Sequence, residues 1–424
     1  MTVQSSKNWC NDLNQSQKKA LKQVWTYLFH FWGIPVNGEI AFRKQQGSSL
    51  ESFESSSDAG KKKKGLFGKL QASYYGEDQQ QSSGNDTVEE VESEYVVDKI
   101  HDSFKELDPE ATREEFWEML RFEEPDAVLL KFIRARKWKI DRAISMIAHS
   151  MHWRVDEIQV DDILNGGEAA IFRNNEQGVI KNLQLQKAFI SGRDKQGRPI
   201  ILARPKLHHS HDQSETEMEK YCILVIEQAR LFFKNPVETA TILFDLSGFS
   251  MSNMDYGPVK FLINCFEAHY PESLGHMFIH KAPWIFHPIW NIVKNWMDPI
   301  VVSKIKFTKN LTDLNEHIDL DQLPRYLGGG STLDPDVFTA PDESQDVKMQ
   351  DEAGRAQLLV ERNDLIEKFV AATVHWIEAD NDEESNKYLN EKVTLGSQLT
   401  ANYSKLDPYI RSRSMYDVNG MLKV

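Results

Sequence analysis

Between residues 179 and 308 short apolar runs bounded by Gly and Pro alternate with longer stretches of helical periodicity, and no other feature narrows the fold as much. The runs cover residues 179–190, 199–204, 239–246, 277–281 and 305–308, and helical stretches fill 217–233, 256–270 and 283–296. Strands separated by helices of that length cannot be joined as tight hairpins, so the pattern predicts an α/β sheet with crossover helices. Ahead of it, the Asp-Pro at 108–109 introduces a helix over 111–122, Pro125 one over 126–137, and Ile144, Ile147, Met151 and Val155 mark a third over 141–156. These form a small helical domain.

The flanks differ from this centre. Leu21, Val24, Trp25, Leu28, Phe29 and Trp32 share one face of a helix over residues 13–32. Residues 45–98 are dominated by Ser, Gly, Gln, Lys and Glu, too poor in apolar side chains to offset the cost of ordering them, and are expected to be a disordered insert. Its Lys61–Lys64 run is either a solvated loop or a contact for anionic lipid, and not a phosphate-binding loop, because Leu66 stands where Lys is required. Beyond Gly328, Gly329 and Gly330 comes a loop and then helices over 352–378 and 383–403. Leu358, Leu359, Leu365, Ile366, Phe369 and Trp376 are expected to pack the first of these on the α/β domain. The expected division is 1–44, an amphipathic helix; 45–98, the insert; 99–165, the helical domain; 166–330, the α/β domain; and 331–424, an acidic linker with C-terminal helices.

Charge and cysteine content exclude several classes. With 50 basic and 64 acidic residues the net charge is -14, which disfavours a nucleic-acid coat. Cys10, Cys222 and Cys265 are too few and too scattered for a disulfide framework or a zinc site, and a reducing cytosol is expected. No run of 18 uncharged apolar residues and no signal-peptide layout occurs. The acidity is concentrated at 342–391, with fourteen acids to five bases, whereas residues 257–310 carry six lysines to three acids, with three tryptophans and five phenylalanines. A basic, aromatic-rich stretch suits an anionic lipid interface.

Among residues that could carry chemistry, the run LKFIRARKW at 130–138 sets Arg136 and Lys137 at a helix end, where a loop can aim them at an anion. The helix within 281–297 is apolar around more of its circumference than one core face needs, so a second apolar body, protein or hydrocarbon chain, must meet it. Hydrolase, metalloprotease, dinucleotide-binding and kinase signatures are absent from the sequence. Asp245, at a strand end, is expected to hydrogen-bond neighbouring backbone, and His208, His209 and His211 to lie on an exposed loop.

Five motifs in order, LKFIRARKW at 130–138, FDLSGFS at 244–250, HYPES at 269–273, the helix after Ala282 and Pro283, and LPRYLGG at 323–329, resemble the CRAL-TRIO lipid-binding proteins over about residues 108–330. The flanks, including NYSKLDPYIRSRS at 402–414, look most like a fungal, non-classical phosphatidylinositol-transfer branch of that family. The resemblance implies the CRAL-TRIO lipid-binding fold, an α/β fold with a sheet floor, helices and a gate helix, preceded by a small helical domain and carrying N- and C-terminal helical extensions. Carried over by motif, the gate holds Trp284, Phe286, Trp290, Val293, Trp296 and Met297, and opening it would bring its tryptophans to the membrane interface. The headgroup site holds Arg136, Lys137, Glu272 and Lys304, with Val301 where the family has threonine, and Ser250 and Ser252 fall where some members contact a phosphatidylcholine headgroup. Glu272 is expected to orient a cation, since it would repel phosphate. The resemblance further implies a non-enzymatic carrier without cofactor or metal, whose ligand is phosphatidylinositol. It would be cytoplasmic, peripherally and transiently attached to microsomal, endosomal or Golgi membranes, and would present lipid to kinases or a phospholipase. Alternatives are a squalene or sterol carrier and an interaction scaffold.

Overall fold

The computed structural model describes residues 13–43 and 100–423, so the insert expected at 45–98, with its lysine run, lies outside the described residues. The described residues 13–41 and 100–423 belong to one compact unit and are considered by themselves. Its principal helices are α1 (Gln15–Phe31), α2 (Pro109–Glu118), α3 (Pro125–Ala135), α4 (Ile140–His152), α5 (Val160–Arg173), α6 (Gln177–Gln184), α7 (Glu215–Arg230), α8 (Tyr256–Asn264), α9 (Phe286–Val293), α10 (Pro299–Ser303), α11 (Glu352–Glu378) and α12 (Asp382–Ile410). The strands are β1 (Ala188–Arg193), β2 (Pro199–Ala203), β3 (Ala240–Asp245), β4 (Leu274–His280) and β5 (Ile305–Thr308).

The strands form one sheet in the order β1-β2-β3-β4-β5. A tight hairpin makes β1 antiparallel to β2, and the other neighbours are parallel, as connections through α7, α8 and α9–α10 require. Strand periodicity divides the side chains between two faces. Ile200, Leu202, Leu243 and Phe278 pack beneath Leu314, Ile318, Leu323 and Leu327. Ile201, Ile242, Phe244, Met277 and Ile279 face the opposite way, toward α7, α8 and α9.

Two expectations are corrected. The run at 179–190 is not one strand: α6 occupies its first part because Val179, Ile180 and Leu183 fall at helical spacing and bury together in the core below α7, and β1 begins only at Ala188. Gly166 and Gly167 do not end the helical region either. They sit inside α5, where Gly167 kinks the helix at φ 53°, ψ -152°, a conformation few residues other than Gly adopt.

The N- and C-terminal helices pack mainly on the helical domain rather than on the sheet. Trp25 of α1 stacks against Trp117 of α2, and Phe116 and Phe369 of α11 meet it edge-on or tilted. Leu365, Ile366, Phe369 and Trp376 are buried as expected, whereas Leu359 is exposed. The last residues do reach the sheet. Asp407, Arg411, Arg413 and Asp417 form a mostly buried quartet with contacts of 2.7–3.1 Å that folds the chain back past α12, and the Tyr416 hydroxyl accepts the Ile190 N–H at 2.9 Å on the outer edge of β1.

Four helices meet at one ion pair. The Lys392 ammonium of α12, wholly buried, lies 3.0 Å from Asp126 Oδ1 of α3 and 4.1 Å from the ring centre of Trp376, and Trp25 Nε1–H donates to the same Asp126 oxygen at 2.6 Å. Lys22 approaches the same Trp376, and burial together with Lys392 pulls its pKa down to about 8. Asp126 is therefore the counter-ion of Lys392, whereas the acid that acts on Lys22 is Asp382. Asp126→Ala should cost about 3–5 kcal/mol in urea unfolding because it strands Lys392 without a counter-ion, and adding Lys392→Met should recover most of that loss. A single-variant loss below about 1 kcal/mol would contradict this account of the junction.

Candidate functional site

Between the sheet and α7, α8 and α9 lies a cavity of ≈ 250 Å³ that opens to solvent. Its accessible wall is almost entirely apolar. The floor is Ile201, Ile242, Phe244, Met277 and Ile279; one wall is Tyr221, Cys222, Val225 and Ile226 of α7; another is Val259, Leu262 and Ile263 of α8; and Phe286, Ile289, Trp290 and Val293 of α9 close the outer side. This accounts for the excess apolar circumference of the 281–297 segment. Ile289 and Val293 are buried, Phe286 packs edge-on to Phe249, and Trp290 does so to Phe307. The regular helix is shorter than expected, Phe286–Val293, and leaves Trp284 and Met297 in its flanking turns.

Polar groups gather at the two ends. Asp255 caps the start of α8 and Glu267 lies beyond its end, both lining the cavity, roughly 18 Å apart along the helical segment. At the Asp255 end, His208 Nε2 donates to Asp255 Oδ2 at 3.2 Å, its pKa lowered chiefly by burial. Its Nδ1 has no partner among the described residues. Lys187 lines the same end, donates to Gln213 Oε1 at 3.0 Å and is brought down to about 8 by burial.

Of the residues singled out by motif for the headgroup, Val301 lines the cavity, whereas Arg136, Lys137, Glu272 and Lys304 lie outside its lining. Arg136 caps α3, and the chain leaves it through Lys137 and Trp138 at φ 53° and 63°, backbone uncommon for residues with a side chain. Lys304 follows α10; its ammonium donates to the Leu274 carbonyl at 2.7 Å, burial lowers its pKa, and Glu272 opposes that. Glu272, at φ 53°, accepts from Arg134 Nε at 2.6 Å. It does position a cation, and that cation is Arg134 of the same LKFIRARKW run. Val301 lines the cavity, so methyl groups stand where the motif would bring a hydroxyl.

Other expected residues are placed elsewhere. Ser250 and Ser252 do not line the cavity; both are exposed, their hydroxyls 2.8 Å apart, with Ser250 capping a short turn through Asn253. Lys137 is exposed. Trp284 is 81% exposed and Trp296 rests edge-on against Tyr256, so of the three tryptophans only Trp290 lines the cavity. Asp245 accepts the Ser247 N–H at 3.0 Å, the backbone role expected for it. His208 is buried, unlike its exposed neighbour His211, and no metal-binding cluster occurs among the described residues. Glu267, Lys187 and Asp255 went unnoticed in the sequence, and Arg134 was noticed only as one cation of the basic run at 130–139.

An almost entirely apolar cavity whose lining includes the cations Lys187 and Arg204 suits amphipathic ligands. Two domain descriptions match, the CRAL/TRIO domain at residues 183–329 and the CRAL/TRIO N-terminal domain at 96–149. A phosphatidylinositol transfer protein CSR1 of Eremothecium gossypii is 49% identical over the full length of both chains. A CRAL-TRIO domain-containing protein of Schizosaccharomyces pombe is 37% identical over 97% of this chain and 91% of that one. The chain belongs to the CRAL/TRIO family. If the cavity is the ligand site, Ile263→Trp should lower the lipid recovered with the purified protein several-fold while circular dichroism stays unchanged, because overfilling a site that is empty of protein costs the fold little. Undiminished lipid would place the ligand elsewhere.

Proposed function

We propose that the protein is a non-enzymatic carrier that lifts phosphatidylinositol out of one membrane and delivers it to another, or presents it there to lipid kinases or a phospholipase. What supports this reading is the continuous apolar cavity together with Lys304, whose ammonium reaches the carbonyl of Leu274 in its wall. Each methylene moved from water to an apolar wall is worth about 0.8 kcal/mol, so two acyl chains leave a bilayer only for a comparably apolar interior. The phosphodiester must then meet cations, since an unpaired charge at the edge of such an interior is costly. In this reading Arg136 and Lys304 face the phosphate, exposed Lys137 does not, and Glu272 acts through Arg134. The name of the Eremothecium relative, with which this chain aligns from end to end, supports the same ligand.

Docking would use the surface around α9. Trp284, Ile300, Phe307, Ile292 and Met251 are all exposed there, among Lys281, Lys294, Lys306 and Lys309. Indole at a headgroup layer and lysines near anionic lipid are both favourable. Among the described residues no helix is long and apolar enough to cross a membrane, so attachment through this patch would be peripheral.

A squalene or sterol carrier is the second reading, and Val301 favours it, because that end of the wall lacks the expected hydroxyl. The two separate cleanly. Arg136→Ala combined with Lys304→Ala should abolish phosphatidylinositol transfer between vesicles with circular dichroism unchanged, whereas a carrier of uncharged lipid would be indifferent; undiminished transfer would refute the headgroup assignment. Trp284→Ala should weaken binding to anionic vesicles roughly tenfold, about 1.4 kcal/mol, as judged by sedimentation. Equal sedimentation would remove Trp284 from the docking surface.

A further inference from the structure

Of the two carboxylates that line the cavity among the described residues, Asp255 is engaged by His208 at the start of α8, and Glu267 stands beyond its other end. Its position follows from the local backbone. Where α8 ends, the chain widens into a π-helical turn over Cys265–His269, and adjacent residues, Phe266 and Glu267, both face the cavity. Such turns often mark functional sites. Glu267 Oε1 accepts the Asp298 N–H at 2.7 Å, which pins it to the start of α10, the helix that carries Val301. Burial raises its pKa and Arg136 acts against that rise, so the carboxylate lies within the field of the cation expected to face the phosphate.

We propose that Glu267 is a specificity residue that admits an inositol headgroup carrying only its phosphodiester and rejects inositides phosphorylated on the ring. The inference rests on the phosphatidylinositol reading and adds a limit to it. A phosphodiester brings one negative charge; each ring phosphate adds about -1.5 to -2 at neutral pH, as other phosphomonoesters do. Here Glu272 is held by Arg134 and also acts on Lys304, Glu267 lies in the field of Arg136, and Val301 offers an added phosphate no hydrogen bond. Like charges set together discriminate against the wrong partner.

The test uses the full-length protein and donor vesicles of phosphatidylcholine containing either phosphatidylinositol or phosphatidylinositol monophosphate, with transfer to acceptor vesicles as the readout. Wild type should carry the unphosphorylated lipid at least about tenfold faster, Glu267→Gln should narrow that ratio by roughly tenfold, and Glu267→Asp, which keeps the charge, should retain it. Glu267→Ala is a second neutral variant should Gln fail to fold. The proposal is overturned if wild type carries both lipids equally, or if a folded neutral variant keeps the wild-type ratio while still carrying phosphatidylinositol. A wild type that carries neither lipid overturns the function proposed above, and this inference with it.

Discussion

The arrangement depends on one buried guanidinium. Arg154 is wholly enclosed and holds Glu115 of α2, Asp161 of α5 and Glu227 of α7, so the helical layer and the helix that roofs the cavity share a single cation. Arg121 also pairs with Asp161, and Arg230 bridges Glu227 to Glu123, which in turn holds Lys131 of α3. Burial alone would neutralise these carboxyls, and it wins at Glu115, whose pKa rises to about 8; around Glu227 three arginines win and hold it far below the usual range. Isolated buried pairs are poor stabilisers, but removing one member leaves a charge that nothing else can satisfy. Such a network tolerates little displacement. Through Lys131 it fixes the orientation of α3, and thereby the place where Arg134 and Arg136 emerge beside the Glu272 turn.

That rigidity explains where the site lies. In open parallel sheets ligands usually sit beyond the carboxyl ends of the strands. Here Lys304 reaches the beginning of β4 at Leu274, opposite to that rule, whereas Lys187 and Arg204 line the cavity at the start of β1 and the end of β2. Arg136 and Lys304 come from outside the sheet, from the end of α3 and the end of α10. An extended amphipathic ligand needs an apolar floor the length of a strand and a charged collar at one end, and a second layer docked on the first strand residue supplies both.

Much of this was legible in the sequence. Strand–helix alternation located β2 to β5, because parallel strands buried on both faces read as short apolar runs. The over-apolar 281–297 segment pointed to a second apolar partner, which is the cavity. Ordered motifs picked out Val301, which lines the cavity, and Lys304, which donates to the carbonyl of the lining residue Leu274. What failed has physical reasons. A short apolar run does not distinguish a buried helix from a strand, so α6 was merged with β1. Ser250 and Ser252 satisfy a local turn, a use of hydroxyls that spacing cannot separate from ligand contact. Glu267 and Lys187 face the cavity because of a π-helical turn and a strand entry, neither of which has a pattern in one sequence. Asp126, Lys392 and Trp25 are separated by up to 367 positions, and nothing local announces their junction.

The two kinds of contact also divide the molecule by what a membrane can replace. α2, α3, α5 and α7 are joined by buried charge, for which hydrocarbon offers no substitute. α9 is held by contacts of another sort: Phe286 on Phe249, Trp290 on Phe307, Trp296 on Tyr256 beneath Lys260. Acyl chains are as apolar as the side chains such contacts exchange, so separating them at a bilayer costs far less than separating them in water. Lys281, at φ 51°, enters this segment and Lys304 closes it, which leaves about two dozen residues whose packing a bilayer can take over while the ionic half keeps its shape. In the proposed cycle the opening element therefore has to be α9 with α10. The same movement would carry Val301 and the Asp298 amide away from Glu267, so that the collar is complete only when the cavity is closed.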